Sequence, residues 1–163
     1  MNLYEFEGKK LFEKHGIAIP RGIAVERGDF PKEAYDRLGV PDVVVKAQIL
    51  SGKRGKNGAI RFCRNADEAE RACKEIFSMD VRGQYVAQIR MEEKLDIVEE
   101  QYLSITYDTN AKQPVLVYSR EGGMDIEDVH QENIIKVPLD VRVKDPTLPP
   151  LLGEELKFSP YQG

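Results

Sequence analysis

Cysteine and histidine are scarce in this chain of 163 residues, which contains two of each. The two cysteines, Cys63 and Cys73, are too few for a disulfide scaffold. Neither lies in a Cys-x-x-Cys or Cys/His cluster, so their spacing gives no support to a metal site. Helical spacing places Cys73 on an apolar face, and we therefore expect it to be a core residue.

A long apolar run is also missing, and charged residues appear within the first ten positions. We therefore expect neither a signal peptide nor a transmembrane span, with a reducing cytoplasm as the default location. Positive charge is not in excess, since the net charge is −4. A dedicated nucleic-acid binder would be broadly basic, so this balance argues against one. A chain of this length forms one ordinary domain or two small lobes.

The most informative stretch covers residues 43–58, where an apolar run is followed by a basic, glycine-rich loop. The β-branched run Val43-Val44-Val45 predicts a strand that is buried on both faces. It is followed at once by Lys46. A lysine that is buried without a partner would have to lose its charge, so we expect Lys46 to reach an anion near the strand end.

The loop that follows is suited to polyphosphate. Its glycines allow tight turns and a close approach of the backbone to a ligand, while its cations supply charge. These residues are Gly52, Lys53, Arg54, Gly55, Lys56 and Gly58. The spacing matches neither the Walker A loop nor Gly-x-Gly-x-x-Gly. A solvated basic hairpin tip is the alternative interpretation, and the strand that leads into Lys46 favours a ligand.

Local signals predict an α+β chain. A helix over residues 2–15 carries a partial apolar stripe, with Asn2 and Glu5 as a capping box and Gly16 as its end. Further helices are predicted from Asp29 to Leu38 and from a capping box at Asn65 to about residue 77. The predicted strands cover residues 22–26, 42–47, 59–63, 85–92, 100–108, 114–119 and 134–138, and one helical turn starts at residue 125. Residues 93–97 form a linker, which we expect to act as a hinge between two lobes.

Several motifs resemble the N-terminal part of succinyl-CoA synthetase β subunits, in one colinear order over nearly the whole chain. The first motif is Met1-Asn2-Leu3-Tyr4-Glu5-Phe6-Glu7-Gly8-Lys9-Lys10-Leu11-Phe12. The others are Val44-Val45-Lys46-Ala47-Gln48 with the glycine loop, Glu92 with Asp96-Ile97, Glu100 before Tyr102-Leu103, and Glu121-Gly122-Gly123-Met124-Asp125-Ile126-Glu127. The wider family includes malyl-CoA ligase, citryl-CoA synthetase and ATP-citrate lyase.

This resemblance implies an ATP-grasp fold, in which two lobes hold a nucleotide between them. Residues 20–95 would form the lobe with the phosphate loop, and residues 1–19 plus 96–163 would form part of the second lobe, incomplete at its C-terminus. The implied nucleotide-binding residues are Lys46, Lys53, Arg54, Gly55, Glu92, Leu95 and Glu100. Lys46 and the loop would contact phosphates, residues 92–95 would meet the adenine largely through the backbone, and Glu100 would lie near the ribose.

The resemblance also implies an activity for a longer chain. An organic acid would be activated by ATP or GTP for CoA thioester formation, through a phosphohistidine on an α-type partner subunit or domain. His15 and His130 do not match that histidine. The Mg²⁺ ligands of the family would lie beyond Gly163, so we expect residues 1–163 alone to be inactive.

Three alternatives remain open from the sequence. Lys53 stands where the succinate enzymes usually have a small residue, which is closer to the citrate-acting enzymes. A noncatalytic module that binds RNA or an acidic protein through the basic loop is a second alternative. The third is a purely structural lobe, in which Lys46 extends along the protein surface to reach water.

Overall fold

The computed structural model describes residues 2–50, 58–81, 83–140 and 142. It contains two compact units, Met1–Leu95 and Asp96–Gly163. The sequence predicts that residues 1–19 belong with the second lobe, whereas the structure groups them with the first unit. The reason lies in long-range bonds of the N-terminal helix, which holds Gln48 and Glu92 of the first unit. Lys53, Arg54 and Gly55 of the predicted phosphate loop lie outside the described residues.

A four-stranded antiparallel sheet is the centre of the first unit. Its helices are α1 (Glu5–Lys14), α2 (Pro31–Leu38) and α3 (Ala66–Ser78). Its strands are β1 (Gly22–Glu26), β2 (Val43–Gln48), β3 (Ile60–Cys63), β4 (Asp80–Val81), β5 (Gln84–Tyr85) and β6 (Gln88–Glu93). The sheet order is β1-β6-β2-β3, while β4 and β5 pair separately. Strands β2 and β3 pair antiparallel, and they correspond to the strands predicted over residues 42–47 and 59–63.

The two faces of this sheet differ sharply in polarity. Side chains alternate along a strand, so the residues of β2 and β6 divide between the faces. One face is apolar and packs with α2 and α3 in a single core cluster, to which the sheet contributes Val25, Val43, Val45, Ala47, Cys63, Ile89 and Met91. The opposite face carries buried polar residues, namely Gln48, Arg90 and Glu92. The prediction that the strand at Val43 is buried on both faces is therefore right, but one of those faces is charged.

Most of the predictions about helix ends that rest on neighbouring residues are confirmed. Asn65 Oδ1 accepts a hydrogen bond from Glu68 N at 2.8 Å, which caps α3 as the sequence predicts. Gly39 has φ 64° and ends α2 in the left-handed region. Asp29 does not cap α2, because its carboxylate accepts from Glu26 N instead. Cys73 lies in the core, where burial raises the pKa of its thiol to about 12.

The N-terminal helix differs from its prediction in its first residue and in its packing. It begins at Glu5 and not at Asn2, since Tyr4 N donates to the Glu7 carboxylate at 2.8 Å. Its expected apolar stripe does not drive its packing, because α1 contains no buried residue. Leu11 and Phe12 are each about half exposed, at 46% and 51%. Polar bonds to the sheet therefore hold this helix.

The second unit is a three-stranded antiparallel sheet. Its strands are β7 (Tyr102–Asp108), β8 (Gln113–Ser119) and β9 (Ile135–Pro138), in the order β7-β8-β9. The predicted helical turn is a short 3-10 helix, Ile126–Asp128, and Val129, the residue after it, is buried. A second 3-10 helix covers Gln131–Asn133. Within the described ranges, no helix is both long and apolar enough to cross a membrane.

Candidate functional site

Lys46 lies on the polar face of the first unit's sheet. It sits in β2 between Ile60 of β3 and Arg90 of β6. Its ammonium Nζ lies 2.7 Å from Glu92 Oε2, and its side chain remains 22% exposed. The anion that Lys46 reaches in the structure is thus a carboxylate of the chain itself. Part of the Lys46 side chain thus remains in contact with solvent.

Glu92 is the most deeply buried charge of this face, with a side chain 1% exposed. Three cations surround it. Lys46 contacts Oε2, whereas Lys9 Nζ and Arg90 Nε both contact Oε1, the latter at 2.6 Å. A buried carboxylate without partners would carry a large desolvation penalty, and these three donors offset it.

The N-terminal helix contributes two members of this cluster from one turn. Glu5 and Lys9 are four residues apart, with Glu5 Oε1 2.9 Å from Lys9 Nζ. The same Glu5 oxygen lies 3.6 Å from Lys46 Nζ. We call Glu5, Lys9, Lys46, Arg90 and Glu92 the Glu92 cluster. Its three cations and two carboxylates leave one positive charge in excess, which suits a site that accepts an anion.

Arg90 is fixed by its neighbours in β1 and the segment before it. Its Nη2 donates to Pro20 O at 3.1 Å. Its guanidinium fills the space over Gly22, where an added Cβ would come within 2.7 Å of Nη2. A side chain at Gly22 would therefore displace the Arg90 guanidinium.

The charge state of Glu92 follows from this geometry. Burial raises the pKa of the Glu92 carboxyl, but hydrogen bonds and charge from Lys46 and Lys9 outweigh burial and lower that pKa below its ordinary value. Glu92 is accordingly ionised at neutral pH. A network that is fully charged and internally paired holds its side chains in one arrangement.

Gln48 ties the start of α1 to the same face. It is 2% exposed. Its Oε1 accepts from Phe6 N at 3.0 Å, and its Nε2 donates to Lys46 O at 3.2 Å. The backbone at Lys46 and the first turn of α1 are thus connected through one side chain.

The predicted site residues divide into three groups. The structure brings Lys46 and Glu92 together, and it places Leu95 two residues after β6 as a half-buried residue. Just before Leu95, Lys94 N donates to Asp42 O at 3.0 Å and fixes the backbone there. Glu100 belongs to the second unit. The loop residues among the predicted site lie outside the part of the chain that the structure describes.

Glu100 is packed against the turn formed by Gly122 and Gly123. Gly122 N donates to Glu100 O at 3.0 Å, and a Cβ on Gly122 would come within 2.5 Å of the Glu100 carbonyl carbon. Gly123 has φ 72°, and a Cβ there would clash with the Glu100 carboxylate. The two glycines are therefore required by close approach and by backbone conformation.

Sequence reasoning missed three members of the cluster, Glu5, Lys9 and Arg90. A signal for Arg90 was present, because Arg90 and Glu92 alternate with the apolar Ile89 and Met91 in one strand. Glu5 and Lys9 form an i, i+4 pair, but this spacing is common on solvated helices. Only the fold shows that this pair faces a buried carboxylate.

The described residues contain no group of three or more His, Cys, Asp or Glu side chains that could hold a metal ion. Glu5 and Glu92 are the carboxylates of the cluster, and lysine or arginine nitrogens occupy the positions around them. These residues do not fit a magnesium site, which requires several oxygen ligands.

A model of the ATP-grasp domain matches residues 2–149. This chain belongs to the ATP-grasp family. The match covers both units, and it agrees with the fold class that the sequence resemblance implies.

Curated relatives of this ATP-grasp chain are β subunits of one ligase. The chain is 42% identical over 146 residues to the succinate–CoA ligase [ADP-forming] subunit beta of Methanocaldococcus jannaschii, covering 87% of this chain and 39% of the relative. It is 36% identical over 162 residues to the protein of the same name from Bacteroides thetaiotaomicron, covering 98% and 42%. The chain therefore spans about two fifths of the length of these relatives.

Solved structures share the ATP-grasp fold at low identity. ATP citrate lyase from Methanothrix soehngenii, in complex with citrate and coenzyme A, superposes with a TM-score of 0.65 at 19% identity, over 86% of this chain and 35% of that one. A dinucleotide-forming acetyl-coenzyme A synthetase from Ca. Korarchaeum cryptofilum gives a TM-score of 0.58 at 19% identity, over 72% and 52%. At these identities the superpositions show the fold alone.

Proposed function

We propose that this chain is the nucleotide-binding N-terminal part of an NDP-forming acyl-CoA ligase of the succinyl-CoA synthetase β type. The complete enzyme would use ATP or GTP to activate an organic acid for CoA thioester formation, through a phosphohistidine on an α-type partner. The observation that carries the proposal is the position of Lys46. It is a partly exposed cation in the second half of a buried strand, within a cluster that has excess positive charge.

Lys46 and the basic loop would offset charge on the nucleotide phosphates. Phosphoryl transfer requires a protein to position the phosphates and to neutralise the charge that develops on them. Lys46 can turn towards a phosphate because Glu92 keeps two other cations, Lys9 and Arg90, in contact with its carboxylate. Lys53, Arg54 and Gly55 would complete this phosphate site from the loop.

Leu95 and Glu100 would serve the other end of the nucleotide. The backbone near Leu95 is held by the bond between Lys94 N and Asp42 O, which makes it suited to hydrogen bonds with an adenine edge. The Glu100 carboxylate is positioned by the Gly122–Gly123 turn and would accept hydrogen bonds from ribose hydroxyls. Residues 93–97 would be the hinge between the lobes.

Magnesium is the expected companion of the nucleotide, but the described residues do not provide its ligands. We therefore assign no step to the metal within this chain. The proposal places its ligands in the remainder of a longer subunit, in line with the length of the relatives. With succinate as the acid, the proposal includes a role in the tricarboxylic acid cycle, and we propose a cytoplasmic location beside it.

The organic acid is a separate question, and citrate is the second candidate. Lys53 favours it, because a basic residue at this position is closer to the citrate-acting enzymes than to the succinate enzymes. The equivalent part of ATP-citrate lyase or citryl-CoA synthetase would bind the nucleotide through the same residues.

A chimera tests the nucleotide role directly. Residues 2–149 of this chain would replace the matching segment of the Methanocaldococcus jannaschii β subunit, which would be produced together with its partner subunit. We expect ADP formation that depends on both succinate and CoA. Lys46→Ala in the chimera should lower this rate by at least about tenfold, since a charge-assisted hydrogen bond contributes about 1.5–3 kcal/mol.

The matched control is Lys14→Ala, which removes an exposed lysine in the last turn of α1. It should leave the rate unchanged. A folded chimera whose rate does not respond to Lys46→Ala at any ATP concentration would overturn the assignment of Lys46 to the phosphates.

A further inference from the structure

We infer that Lys9 is a positioning residue that allows Lys46 to leave Glu92 for a nucleotide phosphate. The inference rests on the proposed function, and it adds a role for the N-terminal helix that the phosphate contacts alone do not require. The geometry that points to it is the sharing of one buried carboxylate by two lysines, each on a different element. Lys46 comes from β2, whereas Lys9 comes from α1.

The two lysines are not equivalent around Glu92. Lys46 contacts Oε2, and Lys9 and Arg90 share Oε1. The side chain of Lys9 is 14% exposed, compared with 22% for Lys46. The lysine on the helix is therefore the more enclosed of the two, and Lys46 is the one with more access to a ligand.

The free-energy cost of moving Lys46 away from Glu92 depends on which cations stay in contact with the Glu92 carboxylate. With Lys9 in place, a Glu92 carboxylate that loses Lys46 still has two cations in contact with it. Without Lys9, the departure of Lys46 would leave the buried carboxylate with Arg90 alone. Because an underpaired buried charge is strongly unfavourable, moving Lys46 from Glu92 to a phosphate would then cost more free energy, and ATP would bind more weakly.

Glu5 supports the same arrangement from the other side. Its carboxylate lies between the two lysines, 2.9 Å from Lys9 Nζ and 3.6 Å from Lys46 Nζ. A phosphate that approached Lys46 would be repelled by Glu5 unless Lys9 kept that carboxylate neutralised. Lys9 thus pairs with both carboxylates that would otherwise compete with the phosphate for Lys46.

The consequence is a thermodynamic link between the docking of α1 and nucleotide binding. The helix has no buried residue, and Lys9 connects it to the buried Glu92 carboxylate on the polar face of the sheet. A change that stabilises the docked position of α1 makes it easier for Lys46 to leave Glu92. By reciprocity, a nucleotide bound at Lys46 stabilises the docked position of α1.

The test is ATP binding by the 163-residue chain, measured by NMR titration at several ATP concentrations. Lys9→Met and Lys9→Gln both remove the charge, and each should weaken ATP binding about tenfold. Lys9→Arg should restore most of the affinity, because it restores the cation. Lys14→Met is the control on the same helix and should bind ATP like the unmodified chain.

A second readout separates positioning from a loss of structure. The ¹³C signal of the Glu92 carboxyl would be followed against pH at saturating ATP. In the unmodified chain Glu92 should stay ionised when ATP binds. In the neutral Lys9 variants the pKa of Glu92 should rise on ATP binding, because Lys46 leaves a carboxylate that Lys9 no longer contacts. Unchanged amide spectra outside α1 would show that the variants fold.

The outcomes distinguish this inference from the proposed function. If Lys46→Met weakens ATP binding but both neutral Lys9 variants bind like the unmodified chain, the inference is wrong and the proposed function stands. If Lys46→Met binds ATP as tightly as the unmodified chain does, the assignment of Lys46 to the phosphates fails and the inference fails with it. A tenfold loss that Lys9→Arg does not reverse, with no shift at Glu92, would also overturn the inference.

Discussion

The guanidinium of Arg90 occupies the space directly over the Cα atom of Gly22. A Cβ at Gly22 would lie 2.7 Å from Nη2, 2.8 Å from Cζ and 2.9 Å from Nε of that side chain. Arg90 in turn holds Glu92, so one glycine in β1 determines where a cation of the cluster can lie. This relationship gives the first prediction.

Gly22→Ala should destabilise the chain by about 1–3 kcal/mol, because the new methyl group displaces Arg90 from Glu92 and from Pro20 O. Urea unfolding followed by circular dichroism measures the change. Gly8→Ala is the matched control, since a Cβ at Gly8 would meet nothing within 4 Å. Gly8 lies in α1, where alanine is the better helix former, so the control should be neutral or slightly stabilising. Equal effects of the two substitutions would contradict the role of Gly22.

The second prediction concerns pH and Glu92. Because the folded-state pKa of Glu92 is lowered, its ionised form contributes stability above the unfolded-state pKa, and that contribution is lost as pH falls through the folded-state pKa. Glu92→Gln should cost about 3 kcal/mol at neutral pH, since it leaves Lys9, Lys46 and Arg90 without their shared carboxylate.

Urea unfolding of both proteins between pH 7 and pH 3 is the measurement. The difference in unfolding free energy should be constant from pH 7 to about pH 5 and should shrink below about pH 4.3, the ordinary value for glutamate. The carboxylates outside the Glu92 cluster are the same in both proteins, so the difference in unfolding free energy reports the cluster. A difference that grows as the pH falls would have the wrong sign.

The third prediction concerns the turn at Gly123. Gly123→Ala should open the contact with Glu100, because it adds both backbone strain and a clash with the carboxylate. Hydrogen exchange at Gly122 N–H, which donates to Glu100 O, reports this opening. We expect its protection to be lost.

Gly16→Ala is the control for strain alone. Gly16 has φ 74°, close to that of Gly123, but a Cβ there would meet nothing within 4 Å. Exchange of amides around Gly16 should change less than exchange at Gly122. Comparable changes at both positions would show that φ, and not the approach of Glu100, requires the glycine at position 123.

The fourth prediction is that residues 1–163 alone bind ATP weakly and have no acyl-CoA ligase activity. The described residues hold no cluster for a metal ion. In the proposed function, the phosphate-accepting histidine belongs to the α-type partner. Calorimetry with ATP and Mg²⁺, together with an assay of CoA-dependent ATP hydrolysis, measures both properties. Submicromolar affinity or CoA-dependent hydrolysis by the purified chain would show that the metal and phosphate acceptors are misplaced in our proposal.

Elements with local signals could be predicted because their causes act within a few residues. Strand β1 has its predicted bounds, and α3 begins at its predicted cap, where Asn65 and Glu68 are three residues apart. The predicted strand over residues 85–92 was wrong at its start, since β5 and β6 are separate strands joined through residues 86–87. Val86 is nevertheless buried, so hydrophobic pattern alone gave no sign of the break.

The sequence by itself determined that Lys46 ends an apolar run before a basic glycine loop, and hence that it needs an anion. Only the tertiary structure decided which anion it contacts. Lys46 and Glu92 are 46 residues apart, and Lys9 and Glu92 are 83 apart. No local pattern specifies such pairs, because they arise when antiparallel strands come into register and a helix docks on their polar face. The sheet register therefore places Glu92 diagonally across from Lys46 on the same face, and the docking of α1 adds the second lysine.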